Sequence, residues 1–189
     1  MKKIWTAAAL SVTFAALPQL SAKAVVLNFT SNLSGAQEVP PTNTPATGTA
    51  TSTLTGDPGS YVFNYTVNYS NLTSGVQMGH VHSPAPPGAN APVVHPLDNL
   101  VLGTTSGTIN GDWRFDDPIN PLTDTRAQQL INGLGYFNLH TTNFPSGEIR
   151  GQITAVPEPS ATLGLLLLGA AGVTARFQNQ KTKKKVAIK

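Results

Sequence analysis

The sequence has no cysteine, and residues 25–154 also have no lysine. Without cysteine, the chain can form neither a disulfide framework nor a thiolate metal site. Only 11% of the residues are charged, whereas 17 glycines and 15 prolines favour short strands joined by tight turns. The chain also lacks a nucleophile–base motif, a glycine-rich phosphate loop and a pair of catalytic carboxylates. These absences give no support to a common enzyme class.

The net charge of +3 hides a division along the chain. Nine of the twelve basic residues lie before residue 25 or after residue 154. Between those positions three arginines face eight carboxylates, a net charge of −5. Because nucleic-acid binding depends on basic side chains, an acidic and lysine-free segment excludes nucleic acid as an expected partner.

The first residues have the three-part pattern of a secretory signal. Lys2 and Lys3 precede an apolar run over residues 4–17, and Ala22-Lys23-Ala24 offers small residues where a signal peptidase reads them. A buried N-terminal helix, the alternative, would need neither the basic start nor the small residues. We therefore predict a signal peptide over residues 1–24.

The last residues read V-P-E-P-S over 156–160, then an apolar run over 161–175, then Arg176 and a lysine cluster. As a helix the apolar run would be about 22 Å long, which is short for a hydrocarbon core of ~30 Å. This layout resembles the PEP-CTERM sorting signal of bacterial surface proteins, whose tail is cut by the membrane protease exosortase. The resemblance implies that residues 156–189 are a sorting signal with a transient transmembrane helix. It also implies a cell-surface or extracellular location, and a simple tail anchor is the alternative.

Alternating apolar and polar residues identify the strands. Tyr61, Phe63 and Tyr65 share one face of a strand, while Asn64 and Thr66 share the other. The same reasoning predicts strands over 26–33, 47–55, 61–69, 76–82, 99–103, 106–115, 135–140 and 147–154. We also expect one short helix from Asp124, as its cap, to Asn132, and a surface pair of Glu148 with Arg150. Residues 25–155 are thus predicted to be an all-β domain, an antiparallel β-sandwich or Greek-key barrel.

All four histidines of the chain lie in two of these segments. His80 and His82 are two residues apart, so a strand would place both imidazoles on one face. His95 follows a proline- and glycine-rich loop that can fold back, and His140 ends a later strand. We predict that the four histidines converge and form a candidate metal site that prefers copper. A polar strand face without metal is the alternative.

Three sequence blocks come in a specific order. They are L-S-G-A-Q-E-V-P-P-T-N-T-P-A-T-G-T-A-T over residues 33–51, G-H-V-H over 79–82 and H-T-T-N-F-P-S-G-E-I-R-G-Q over 140–152. This order resembles the CHRD domain, a family named for its occurrence in chordin. The resemblance implies a secreted or surface β domain without a settled activity. It favours a non-enzymatic binding or structural module whose partner is an extracellular polymer or protein.

The order of the histidines is also similar to that in copper/zinc superoxide dismutase, itself a Greek-key β-sandwich. That similarity implies that His80, His82, His95 and His140 are copper ligands. The zinc histidines, a clear zinc aspartate and the disulfide cysteines of that family are missing, and Arg150 lies too close to His140 in the sequence to match its active-site arginine. The alternatives are therefore a copper-binding protein without activity and a weak dismutase-like enzyme.

Overall fold

The computed structural model describes residues 24–157, which form one antiparallel β domain. The strands are β1 (Val25–Ser34), β2 (Thr47–Gly56), β3 (Val62–Ser70), β4 (Val76–His82), β5 (Val93–Pro96), β6 (Gly107–Arg114), β7 (Tyr136–Thr141), β8 (Ile149–Gln152) and β9 (Thr154–Ala155). A 3-10 turn (Gly35–Gln37) follows β1, and one α-helix, α1 (Asp124–Ile131), precedes β7. The predicted signal peptide, except its last residue, and the predicted apolar helix and basic tail lie outside the described residues.

The strands form one sheet in the order β5-β4-β7-β8-β1-β2-β3-β6, with β9 added beside β1. Every described pair of neighbouring strands is antiparallel. The sheet curls into a nearly closed barrel, so that rings from distant strands meet inside it: Phe63 of β3 stacks on Phe137 of β7 with ring centroids 6.3 Å apart. The predicted all-β class with one short helix is confirmed.

The alternation read in the sequence is the alternation of burial. Phe63 and Val67 of β3 are fully buried, whereas Asn64 and Asn68 are exposed. Trp113 of β6 pairs with Phe63 across the strands and is fully buried as well. The inner residues of β1, β2, β3, β6 and β7 thus form one apolar core.

Two local predictions are wrong. Residues 99–103 form turns rather than a strand, because Asn99 and Gly103 adopt positive φ angles of 54° and 79° that an extended chain cannot accommodate. The cap of α1 is Thr123 instead of Asp124: the Thr123 hydroxyl accepts a hydrogen bond from the Arg126 N–H. Asp124 is the first helical residue, and its carboxylate accepts a hydrogen bond from Gly59 N at 2.7 Å.

The expected surface pair of Glu148 and Arg150 is also wrong, because both side chains are buried. Loops cover the outer face of β8 at this point. Arg150 donates to the backbone carbonyl of Ala89 at 3.1 Å and lies over the ring of Tyr136. Glu148 accepts hydrogen bonds from three donors, namely the Thr44 and Thr141 hydroxyls and Thr73 N, at 2.6, 2.6 and 2.8 Å. These two charges are parts of the domain interior.

Within residues 24–157, no helix is long and apolar enough to cross a membrane. The segment for which a transient transmembrane helix is predicted lies beyond that range.

Candidate metal centre

Antiparallel pairing of β4 with β7 brings three histidines together. His80 lies opposite Asn138, His82 lies opposite Tyr136, and His140 lies opposite Met78. Alternation along β4 turns Gly79 and Val81 inward, and a side chain at Gly79 would meet Leu97 and Leu139 of the core. The imidazoles of His80, His82 and His140 therefore share the outer face of this strand pair.

The three imidazoles are close enough to hold one ion. One nitrogen from each of His80, His82 and His140 lies within 4.8 Å of the other two. His80 Nδ1 and His140 Nε2 are 3.1 Å apart. With metal–nitrogen bonds of about 2.0–2.1 Å, adjacent ligand atoms are roughly 2.9–3.4 Å apart, and no two can exceed about 4.2 Å. Nitrogens separated by the full 4.8 Å would have to approach by at least about 0.6 Å to share one ion, and by about 1.4 Å to become adjacent ligands in a tetrahedral site.

Backbone carbonyls fix which nitrogen of the His82 ring and of the His140 ring carries the proton. His82 Nδ1 lies 2.9 Å from the carbonyl oxygen of Ala91, and His140 Nδ1 lies 3.0 Å from that of Pro145. A carbonyl only accepts hydrogen bonds, so each Nδ1 carries the proton and each Nε2 presents its lone pair. Metal-binding histidines are oriented by hydrogen bonds of this kind. His82 Nε2 is buried and has no hydrogen-bond partner among the described residues, as expected for a ligand atom.

The surroundings keep these imidazoles neutral. Burial, together with the smaller effects of the neighbouring His140 and His82, lowers the pKa of His80 to about 4. Burial also lowers the pKa of His82 and of His140, against the opposing effect of their bonds to Ala91 and Pro145. Only neutral imidazole can bind a metal, so all three rings are ready to bind at neutral pH. His80 is partly exposed and opens the site to solvent.

His95 does not join the other three, which corrects the predicted four-histidine set. In β5 it pairs with Val81, the residue between His80 and His82, so its side chain projects to the opposite face. There it stacks on Trp113, with ring centroids 5.2 Å apart. The site that the structure assembles therefore contains three histidines.

The sequence analysis missed one neighbour of this site, Met78. It lies two residues before His80, on the same face, and it pairs with His140 across the two strands. Its side chain is 45% exposed, which is unusual for methionine and leaves the thioether accessible beside the imidazoles. The i, i+2 spacing that linked His80 to His82 would have identified it, since the sequence reads M-G-H-V-H.

Comparison with known protein families identifies both the β domain and the C-terminal sorting segment. A family model of the CHRD domain matches residues 29–153, and a model of the PEP-CTERM protein-sorting motif matches residues 155–178. The chain is thus an exported, surface-associated protein, and the motif implies recognition by exosortase-type machinery with processing at the membrane. It belongs to the CHRD domain family. Neither a curated protein nor a solved structure matches the chain, so the similarity to superoxide dismutase has no support.

Proposed function

We propose that this protein is a non-enzymatic, metal-binding module of the bacterial surface, which holds one copper ion through His80, His82 and His140. Convergence of one nitrogen from each of these imidazoles to within 4.8 Å carries the proposal. The carbonyl bonds of His82 and His140 support it, because they orient two lone pairs before any ion arrives. Cleavage of a signal peptide after Ala24 and placement on the cell surface belong to the same proposal.

The donor set favours copper over zinc. Imidazole nitrogens without thiolate bind Cu(II) more tightly than Zn(II) by the general order of affinities. Met78 adds a soft thioether beside His140, and thioethers select Cu(I). A site with three imidazoles and a neighbouring thioether can therefore hold copper in either oxidation state.

Turnover has less support than binding. The domain is acidic, and Arg150, an arginine whose charge acts on His82, is buried and donates hydrogen bonds to Ala89 O and Asn90 Oδ1. It is thus engaged in holding a loop rather than available to attract an anion. A binding module, without the dismutase reaction, is the function that these contacts favour.

The test is a titration of the full chain with one equivalent of Cu(II), followed by electron paramagnetic resonance. We expect a nitrogen-coordinated Cu(II) signal whose affinity falls by more than about 100-fold in His82→Ala. Gln77→Ala, an exposed residue of the same strand, is the matched control and should bind as the parent does. Equal binding by the parent and by His82→Ala would refute the proposal.

A further inference from the structure

His95 occupies a second polar environment, apart from the three-histidine centre. Its imidazole lies flat on the indole of Trp113, at 16° between the planes, and Tyr65 contacts it edge-on. The residue is only 3% exposed, and neither ring nitrogen has a hydrogen-bond partner among residues 24–157. A buried imidazole normally uses both its donor and its acceptor. The two unused nitrogens therefore point to a ligand.

Two carboxylates face these nitrogens at a distance unsuited to hydrogen bonding. Asp117 Oδ2 lies 3.7 Å from His95 Nδ1, and Asp98 Oδ2 lies 3.8 Å from His95 Nε2. Both separations exceed the usual limit of about 3.2 Å for an N–H···O bond. Both are below the ~4.2 Å that can separate two ligands of one transition-metal ion.

The surrounding cleft is negative. It has a volume of about 650 Å³ and is lined by His95, Asp98, Asp112, Asp116, Asp117 and Arg114 among others. Arg114 contributes the one positive charge in this lining, and it is paired with Asp112 and Asp116. Arg126 lies over the Trp113 ring and interacts with Asp117, but the four carboxylates still outnumber the two nearby guanidiniums, so the cleft attracts cations and disfavours anions.

The two aspartates differ in what they can still bind. Asp117 Oδ1 accepts from Ile119 N and Asn120 N at 2.8 and 2.9 Å, which leaves Oδ2 free beside His95. These backbone bonds also lower the pKa of Asp117, so it is ionised. Asp98 Oδ2 already accepts from the Tyr65 hydroxyl at 3.0 Å and from Asp112 N at 3.1 Å.

We infer that His95 Nδ1 and Asp117 Oδ2 bind a divalent transition-metal ion of the Zn(II) type, with water as the remaining ligands. Asp98 Oδ2, 3.8 Å from His95 Nε2, would have to approach by about 0.6 Å to accept the other N–H of the metal-bound histidine, a role that carboxylates commonly take. One imidazole and one carboxylate form a harder donor set than three imidazoles and a thioether. The two centres therefore differ in the metal they prefer, and each can exist without the other.

The experiment uses the full chain with Trp5→Phe and His82→Ala. The first change leaves Trp113 as the only tryptophan, and the second removes the three-histidine centre. Co(II), a quencher of indole fluorescence, serves as the probe because His95 is stacked on Trp113. We expect saturable quenching at one Co(II) per chain, reversed by Zn(II). Asp117→Asn should weaken binding at least tenfold, and Asp124→Asn, an exposed carboxylate outside the cleft, should not.

Each contrary result overturns the inference. Quenching that does not saturate, or that Asp117→Asn and Asp124→Asn affect equally, would show that no ion binds at His95. Quenching by acid alone, with no response to Co(II), would show that a proton occupies the site instead.

The Asp117 side chain is partly exposed, so Asp117→Asn should fold even if a His95 variant does not. Near-ultraviolet circular dichroism of Trp113 checks whether each variant is folded. Cu(II) binding in a His95→Gln variant tests the three-histidine centre separately.

Discussion

His82 and Tyr136 lie face to face, with ring centroids 4.8 Å apart and 4° between their planes. The Tyr136 hydroxyl accepts a hydrogen bond from Ala91 N at 3.2 Å, and Ala91 O accepts one from His82 Nδ1 at 2.9 Å. The three residues thus form a closed set of contacts that ties the loop after β4 to the imidazole. Tyr136 orients a proposed metal ligand twice, through its ring and through its hydroxyl.

Removal of that hydroxyl should weaken copper binding without removing a ligand. In Tyr136→Phe the stack on His82 remains, but the loop that holds its Nδ1 proton loses an anchor. We expect about a tenfold increase in the Kd for Cu(II), measured by calorimetry. Tyr69→Phe is the control, because that hydroxyl contacts Thr104 instead. Unchanged affinity in Tyr136→Phe would show that the hydroxyl does not position His82.

Met78→Leu tests the proposed thioether ligand. Leucine keeps the volume and apolar character but has no sulfur. We expect the affinity for Cu(I) to fall about tenfold, while the affinity for Zn(II) stays the same, because zinc gains little from a thioether. Competition with a chromogenic copper chelator measures the first, and Gln77→Leu controls for a changed strand surface. A parallel loss of both metals would mean that Met78 acts through the fold.

The two faces of β3 should differ sharply in their contributions to stability. Phe63 is fully buried among the rings of the core, so Phe63→Ala should lower the free energy of unfolding by about 3–5 kcal/mol. Asn64 is exposed, and Asn64→Ala should change it by less than about 0.5 kcal/mol. Urea titration of the two variants gives both values. Similar losses would contradict the register of β3 with β2 and β6.

Glu38 should make stability depend on pH. Burial raises the pKa of its carboxyl to about 7, against the opposing effect of Arg150. Between about pH 4.5 and 7 the folded chain retains a proton that the unfolded chain has released, so the free energy of unfolding falls as pH rises through this window. Above pH 7 the contribution is constant.

Glu38→Gln should remove this slope, because glutamine does not titrate. Relative to the parent, the variant should gain stability between pH 5 and pH 8, by at most about 3 kcal/mol. Denaturant titrations at several pH values measure the difference. Asp124→Asn, an exposed carboxylate, is the control and should keep the parent's slope. If the free energies of unfolding of the parent and of Glu38→Gln change in parallel with pH across this window, Glu38 is charged in the folded chain.

Alternation along single strands could be read from the sequence, and it predicted β3 and the shared face of His80 and His82. The position of His95 could not be read, because a shift of one residue in strand pairing moves a side chain to the other face. The observed register sets His95 against Val81 and includes a bulge between Val81 and His82. No local pattern specifies that pairing.

Burial of Glu148 and Arg150 escaped prediction for a different reason. Their alternation with Ile149 correctly excluded them from the apolar core side of β8. It could not show that residues from distant loops cover the outer face, as Thr44 covers Glu148 and Ala89 covers Arg150. Whether loops cover the outer face of a strand depends on the course they take over the surface, and that course is set only when the whole barrel has formed.

Strand β9 determines how near the sorting motif comes to the folded domain. Val156 N still donates to Asn28 O at 2.7 Å, and the motif matches from residue 155 onward. Among the described residues, the folded domain therefore continues directly into the sorting motif, without a linker between them. Thr154, Ala155 and Val156 are exposed, so peeling them from β1 would release about 10 Å of slack without opening the core. Release of β9 from β1 would therefore lengthen the connection to the sorting motif while β8 keeps its pairing with β7.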